Sequence, residues 1–365
     1  MIAKIFKYLA IGIAGALVLA LSVALGCRAW WQHSVAARRA IRSPHGIQIL
    51  EPVRIGGIDQ WIEARGQNSG NPILLFVHGG PGVAFMPLAG SFEDPWERYF
   101  TVVQWDQRGA GKTYGGNDKE VQRRTINLAQ MEQDAFDVTN YLRTRFHKQK
   151  IFILGHSWGS ILGLWMAHEH PELIYAYVGV GQVIDSQRNE EVAYQDALRE
   201  ARLGNRKRAI QALEALAPFP GPNPDFQKTS IARGWEEFVL GRPQGPAEFL
   251  NLRRLFFDLV SAPEYTLADD YNFIRGRTES FNLLLPELAQ ANVNRLGPRF
   301  RTPVFFFQGR LDAPCRPSLV EEYAKSIEAP HKEFVLFENA GHFPFFEEAA
   351  NFTNQLVLRV LPFAR

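Results

Sequence analysis

Ile151-Phe152-Ile153-Leu154-Gly155-His156-Ser157-Trp158-Gly159 is the stretch on which the reading of this chain turns. Four apolar residues, a serine set between glycines and apolar residues at helical spacing through 160–168 read as strand, sharp turn and helix. Such a turn forces the serine into a strained backbone conformation, and side chains at the flanking positions would strike the strand and helix being joined, so glycine is needed on both sides. Ser157 is therefore expected at the carboxyl edge of a sheet.

A serine hydroxyl is a poor nucleophile until a base takes its proton and a pair of donors holds the oxyanion that forms. Upstream, His78-Gly79-Gly80-Pro81-Gly82 follows the apolar run 73–77 and offers a backbone N–H, with Gly80 the candidate; the N–H of Trp158, just after the serine, is its expected partner. Downstream, Asp312 lies in Gly309-Arg310-Leu311-Asp312-Ala313-Pro314-Cys315 and His342 in Asn339-Ala340-Gly341-His342-Phe343-Pro344. Each follows one of the last two apolar runs, which sets both in loops at the same edge as Ser157. There His342 takes the serine proton and Asp312 fixes the imidazole tautomer and stabilises its cation. Asp185, beyond the run 175–180, is the alternative acid.

Outward from this centre, 47–55 and 58–64 flank Gly56-Gly57 as an antiparallel hairpin, and 73–77 and 101–105 are continuous apolar strands of a parallel sheet. A helical pattern covers 127–146, and strands return at 175–180, 303–307 and 334–337, with an amphipathic helix over 346–361. The alternation predicts an α/β fold with a mostly parallel, eight-stranded sheet flanked by helices. Between them, 186–300 shows only helical patterns, broken by the turn-rich stretch from Pro218 to Pro224 and by Gly241-Arg242-Pro243. This is an inserted helical cap on a core of 46–185 and 301–365.

The 365 residues carry a net charge of +2, 46% apolar and 21% charged side chains, an ordinary globular balance with no charge block suited to nucleic acid. The first 29 residues differ. After Lys4 and Lys7, positions 8–27 hold no charge, and at about 1.5 Å per residue they span roughly 30 Å, the thickness of a bilayer core. A retained single-pass anchor is the preferred reading, over a cleaved signal peptide or a lipoprotein signal modified at Cys27, followed by a basic linker over 30–45. Basic residues on both flanks leave the side of the membrane open. The two cysteines give no disulfide framework, and nothing in the sequence sets the oligomeric state.

Other motifs fail when counted. Gly109-Ala110-Gly111-Lys112-Thr113 lacks the earlier glycine of a phosphate loop, Asp106 standing in its place. His168-Glu169-His170 puts alternate residues on different helix faces, so no metal pair is expected there. Cys315 is read as a small buried residue rather than a reactive thiol. Neither metal nor cofactor is expected.

With these parts in place the chain resembles the proline iminopeptidases (prolyl aminopeptidases) of the α/β-hydrolase superfamily over roughly residues 45–362. The resemblance rests on the 78–82 motif, on Trp105-Asp106-Gln107-Arg108-Gly109-Ala110-Gly111, on Ser157 continuing as Trp158-Gly159-Ser160, and on Gly309-Arg310-Leu311-Asp312 with Cys315. It implies an α/β-hydrolase fold with a helical cap over the site, and it carries nucleophile, acid and base onto Ser157, Asp312 and His342. It further implies an acyl-enzyme hydrolase cleaving an amide or ester of a small molecule or short peptide, the bond after an amino-terminal proline among the candidates. The family's Trp-x-x-Trp-Glu stretch, whose glutamate binds the substrate amine, is matched only by Trp235-Glu236-Glu237-Phe238-Val239, so Trp235, Glu236 and Glu237 are the candidate substrate contacts. A membrane-associated carboxylesterase or lipase is the alternative. The apolar residues Phe249, Leu252, Leu255, Phe256 and Phe257 bear on it, although their spacing is that of any packed cap helix. A non-catalytic hydrolase-fold binding protein is the third reading, disfavoured because no triad member is missing.

Overall fold

Eight strands form one sheet in the order β1-β2-β4-β3-β5-β6-β7-β8. They are β1 Ile47–Ile55, β2 Ile58–Gly66, β3 Ile73–Val77, β4 Thr101–Asp106, β5 Ile151–His156, β6 Ile174–Val180, β7 Val304–Gly309 and β8 Lys332–Phe337. The structure is a computed structural model that describes residues 2–221, 226–240 and 252–364. Phe249, the Gly241-Arg242-Pro243 break and the end of the proline-rich turn at 222–224 lie outside the described residues.

The β1–β2 hairpin and the β2–β4 pair are antiparallel, while β4-β3-β5-β6-β7-β8 are parallel throughout. Parallel strands need covering on both faces, and alternate residues of each strand supply two cores. Val304 and Phe306 of β7 enter one core with Met131, Val138 and Leu142 of the helix Leu128–Arg145. Phe305 and Phe307 enter the other, with Trp96, Phe345 and Phe352.

Between β6 and β7 the described residues form the helices Ser186–Leu203, Lys207–Glu214, Phe226–Leu240, Leu252–Ser261 and Leu267–Ala289, and no strand. The longest opens on a capping box of Thr266 with Asp269.

Two elements depart from the sequence reading. The amino-terminal helix runs unbroken over Ile2–Arg38, through half of the stretch expected as linker. Its last turns are fixed by tertiary contacts: Gln32 donates to the carbonyls of Ala262 and Tyr265, and the Arg39 guanidinium just beyond is buried against Glu93, Asp94 and Glu264. By length and composition Lys4–Arg38 is able to cross a membrane. At the other end, the single helix expected over 346–361 is broken into Pro344–Glu347, Ala349–Gln355, a π-helical turn over Leu356–Val360 and a 3₁₀ turn over Leu361–Phe363. The first break has a local cause. Glu347 accepts the Gly341 N–H (2.7 Å) and Glu348 accepts the Asn339 N–H (2.9 Å), so both side chains are drawn back to the loop carrying His342.

Candidate active site

Ser157 follows β5 with φ 53° and ψ −121°, a region that costs a non-glycine residue about 1–3 kcal/mol. The surrounding backbone holds it there: its N–H donates to Val180 O (2.9 Å), and the Ser160 N–H donates to Ser157 O (2.8 Å). Close approach explains the glycine that follows, since a Cβ at Gly159 would stand 2.0 Å from Val77 O. Ser157 thus reaches the wall of a cavity of about 650 Å³ that Gly80 and His342 also line.

His342 Nδ1 lies 3.0 and 3.1 Å from the two oxygens of Asp312, which is 1% exposed. An ionised carboxylate only accepts, so the ring proton sits on Nδ1 and the Nε2 lone pair is left for another partner. Asp312 is itself held from two directions, accepting the Cys315 N–H (2.7 Å) and the Gln308 side-chain amide (2.7 Å). Gln308 in turn donates to Cys315 O and accepts the Gln182 N–H. Gly181, at φ +54°, packs flat against the pair: a Cβ there would lie 2.8 Å from His342 Cε1 and 3.3 Å from Asp312 Oδ2. Beneath them, His156 Nε2–H donates to His342 O (2.9 Å); burial first, and then the closeness of a second imidazole at His342, hold its pKa well below the ordinary histidine value, so it stays neutral.

The loop of Gly79 and Gly80 is braced from the end of β4. Gln107 donates its side-chain amide to His78 O (2.9 Å) and its N–H to His78 Nε2 (3.3 Å), while His78 Nδ1–H donates to Gly79 O. Burial pushes His78 down to about 4, so this brace is uncharged at neutral pH. Arg108 makes a two-pronged contact with Asp134 (2.8 and 3.1 Å) and donates to Gly56 O and Thr125. The 105–111 motif is therefore the scaffold of the loop rather than a part of the cavity wall. Gly80 has φ +121°. Trp158 opens the helix Trp158–Glu169, where the first N–H groups have no partner inside the helix.

Asp185 is taken up elsewhere. It caps Ser186–Leu203 by accepting the Arg188 N–H and also accepts the Asn292 amide (2.6 Å), while His342 turns to Asp312. Of Trp235, Glu236 and Glu237, only Glu237 lines the cavity, where Arg233 and Gly234 of the same helix stand beside it. Glu236 is buried in an ion pair with Arg316, and Trp235 lines a shallow groove with Arg206 and Phe238 outside the cavity. Glu190, which pairs with Arg233, stands in the cavity wall as well. Cys315 is buried, and burial together with the Asp312 charge pushes its thiol up, so it remains protonated. Asp312, Cys315 and His342 offer ligand atoms within 4.8 Å of one another, and the Asp312 carboxylate among them already accepts three N–H groups, from Gln308, Cys315 and His342.

Sequence reasoning missed Gln308, Gly181 and Glu190. Gly181 left a trace, being a glycine directly beyond β6, whereas a lone glutamine or glutamate carries no local signal.

A family model described as alpha/beta hydrolase fold matches residues 72–349. The chain belongs to the alpha/beta hydrolase superfamily. Among its relatives, a protein of Bacillus subtilis (strain 168) named probable aminopeptidase YbaC is 33% identical over 312 residues, covering 85% of this chain and 95% of that one. A proline iminopeptidase of Arabidopsis thaliana is 25% identical over 77% of this chain and 71% of its own length. Of solved structures, a proline iminopeptidase-related protein from Thermus thermophilus superposes with TM-score 0.57 at 21% identity, over 87% of this chain and 99% of that one. A thermophilic esterase from Thermogutta terrifontis does so with TM-score 0.52 at 20% identity, over 88% and 99%. At those identities the two structures bear on the fold alone.

Proposed function

We propose that the protein is a serine hydrolase acting through an acyl-enzyme, with Ser157 as nucleophile, His342 as base and then acid, and Asp312 as the carboxylate that orients the imidazole. The observation that carries this is the His342 Nδ1 to Asp312 contact of 3.0 Å on the rim of the cavity that Ser157 also lines. His342 Nε2 takes the hydroxyl proton as Oγ bonds to the carbonyl carbon, and the N–H groups of Gly80 and Trp158 hold the oxyanion. Collapse returns the proton to the departing amine or alcohol, and a water activated by the same imidazole releases the acyl group.

Proline iminopeptidase-like cleavage of an amide is the leading substrate reading, supported by the relatives and by the Glu237 carboxylate in the cavity wall. A free substrate amine needs such a partner when it leaves water. Esterase activity is the second reading, favoured by the apolar wall formed by Phe281, Leu285 and Leu288. The segment 186–300 acts as the cap that closes the cavity, and Ile2–Arg38 holds the protein to a membrane as a single-pass anchor.

Turnover of prolyl-4-nitroanilide and of p-nitrophenyl butyrate separates the readings. A peptidase cleaves the anilide, and Glu237→Gln then raises its KM roughly tenfold, about the cost of one lost charge-assisted contact, without changing the ester KM. Ester turnover alone removes the peptidase reading. Neither substrate being cleaved removes both.

A further inference from the structure

One face of the helix Leu267–Ala289 behaves differently at its two ends. Leu267, Tyr271 and Ile274 follow one another at spacings of four and three, and Thr278, Phe281, Leu285 and Leu288 continue the same series, so all share a face. At the amino-terminal end this face is open, with Leu267, Tyr271 and Ile274 at 53%, 62% and 60% exposure. At the other end Phe281, Leu285 and Leu288 line the cavity of Ser157 and His342. The helix does not need this stripe for its own packing, because Phe273, Gly276, Ser280 and Leu284 are the residues it buries. A stripe about 15 Å long, from Tyr271 to Phe281 and interrupted by Thr278, whose hydroxyl is turned back to Ile274 O, leads from open surface to the cavity that Ser157 lines.

The open end of that path meets the amino-terminal helix. Arg28, the first charge after the uncharged run, donates to Tyr265 O (3.0 Å) and pairs with Asp270 (2.9 Å). One turn on, Gln32 donates to Ala262 O and Tyr265 O, and Trp31 meets Phe257 edge-on at 5.3 Å. The level at which an anchor leaves hydrocarbon is thereby tied to residues 262–270, directly beside Leu267 and Tyr271. Trp30 and Phe256, sequence neighbours of that ring pair, are themselves 66% and 58% exposed, and aromatic side chains gather at the level of lipid headgroups.

We infer that the stripe is an entry track from the bilayer: its open end rests on the lipid surface, and the substrate is an amphiphilic ester or amide whose alkyl chain partitions into the membrane before sliding to Ser157. This rests on the serine hydrolase and anchor readings above. Leaving so much apolar surface open is costly in water and costs nothing against lipid.

The test uses the full chain with vesicles of phosphatidylcholine and phosphatidylglycerol, assayed on p-nitrophenyl palmitate dissolved in the vesicles and on p-nitrophenyl butyrate in water. Tyr271→Asp with Ile274→Asp is expected to lower palmitate turnover roughly tenfold or more and leave butyrate turnover unchanged, while Tyr271→Phe with Ile274→Leu keeps both. Equal loss on both esters, or no loss on palmitate, overturns the track. Vesicle flotation separates this failure from that of the anchor: a chain that floats with palmitate turnover unaffected by the aspartates loses the track alone, and a chain that does not float loses both. No turnover of butyrate, palmitate or prolyl-4-nitroanilide by the unaltered chain sinks the hydrolase reading first, and turnover of the anilide without either ester overturns the track alone. Self-association that the aspartates abolish, with palmitate turnover unchanged, assigns the stripe to a second copy of the chain and overturns the proposal.

Discussion

The imidazole of His342 is held by neighbours that do no chemistry themselves. Gly181 is the tightest of these, because the space a methyl group would need is filled by the ring and its carboxylate. Gly181→Ala is expected to leave the fold in place and lower kcat about a hundredfold, since a displacement of the order of 1 Å between reacting groups costs that much. Steady-state kinetics beside a thermal melt separate this from unfolding. The residues proposed for the reaction were legible because each sits in a motif with a geometric reason: glycines where backbone approaches backbone, and Asp312 and His342 just past apolar runs. What holds them was not. Gln308 reaches Asp312 across a single turn, yet a glutamine near a strand end has no pattern of its own. Glu236 and Glu237 are adjacent in sequence, and only the helix phase decides that one is buried against Arg316 while the other reaches the cavity.

Among the elements, the strands were read almost to the residue because continuous apolar runs are what a doubly covered parallel sheet requires. The carboxyl-terminal helix was not, since its break comes from Glu347 and Glu348 bonding to a loop close in space. The extension of the amino-terminal helix likewise depends on carbonyls more than 200 residues away, at Ala262 and Tyr265. The end of β4 is joined to the helical insertion through Asp106, which accepts the Lys112 N–H and the Tyr265 hydroxyl. Burial dominates those hydrogen bonds and pushes Asp106 up to about 7. The unfolded chain releases this proton near pH 4, so between about pH 4 and 7 the folded state binds more protons and loses stability as pH rises. Asp106→Asn removes that contribution. Thermal melts at pH 5 and 8 should show a smaller loss on going to pH 8 for the variant than for the unaltered protein, and equal losses would contradict the assignment.

At the level of the whole molecule, topology does the assembling. Ser157, Asp312 and His342 follow β5, β7 and β8, all parallel, so their carboxyl ends share one edge of the sheet, and the Gly80 loop after β3 lies on that edge too. A cavity of about 650 Å³ lies between this edge and the helical insertion, whose helix Leu267–Ala289 extends from the cavity to the amino-terminal helix. The proposed reaction requires the Ser157 hydroxyl to be the group that becomes acylated. Intact-mass and peptide-level mass spectrometry after a fluorophosphonate probe reads this directly. One adduct per chain is expected, on Ser157, absent in Ser157→Ala and strongly slowed in His342→Ala; an adduct on another residue, or labelling that persists in Ser157→Ala, rules out Ser157 as the nucleophile.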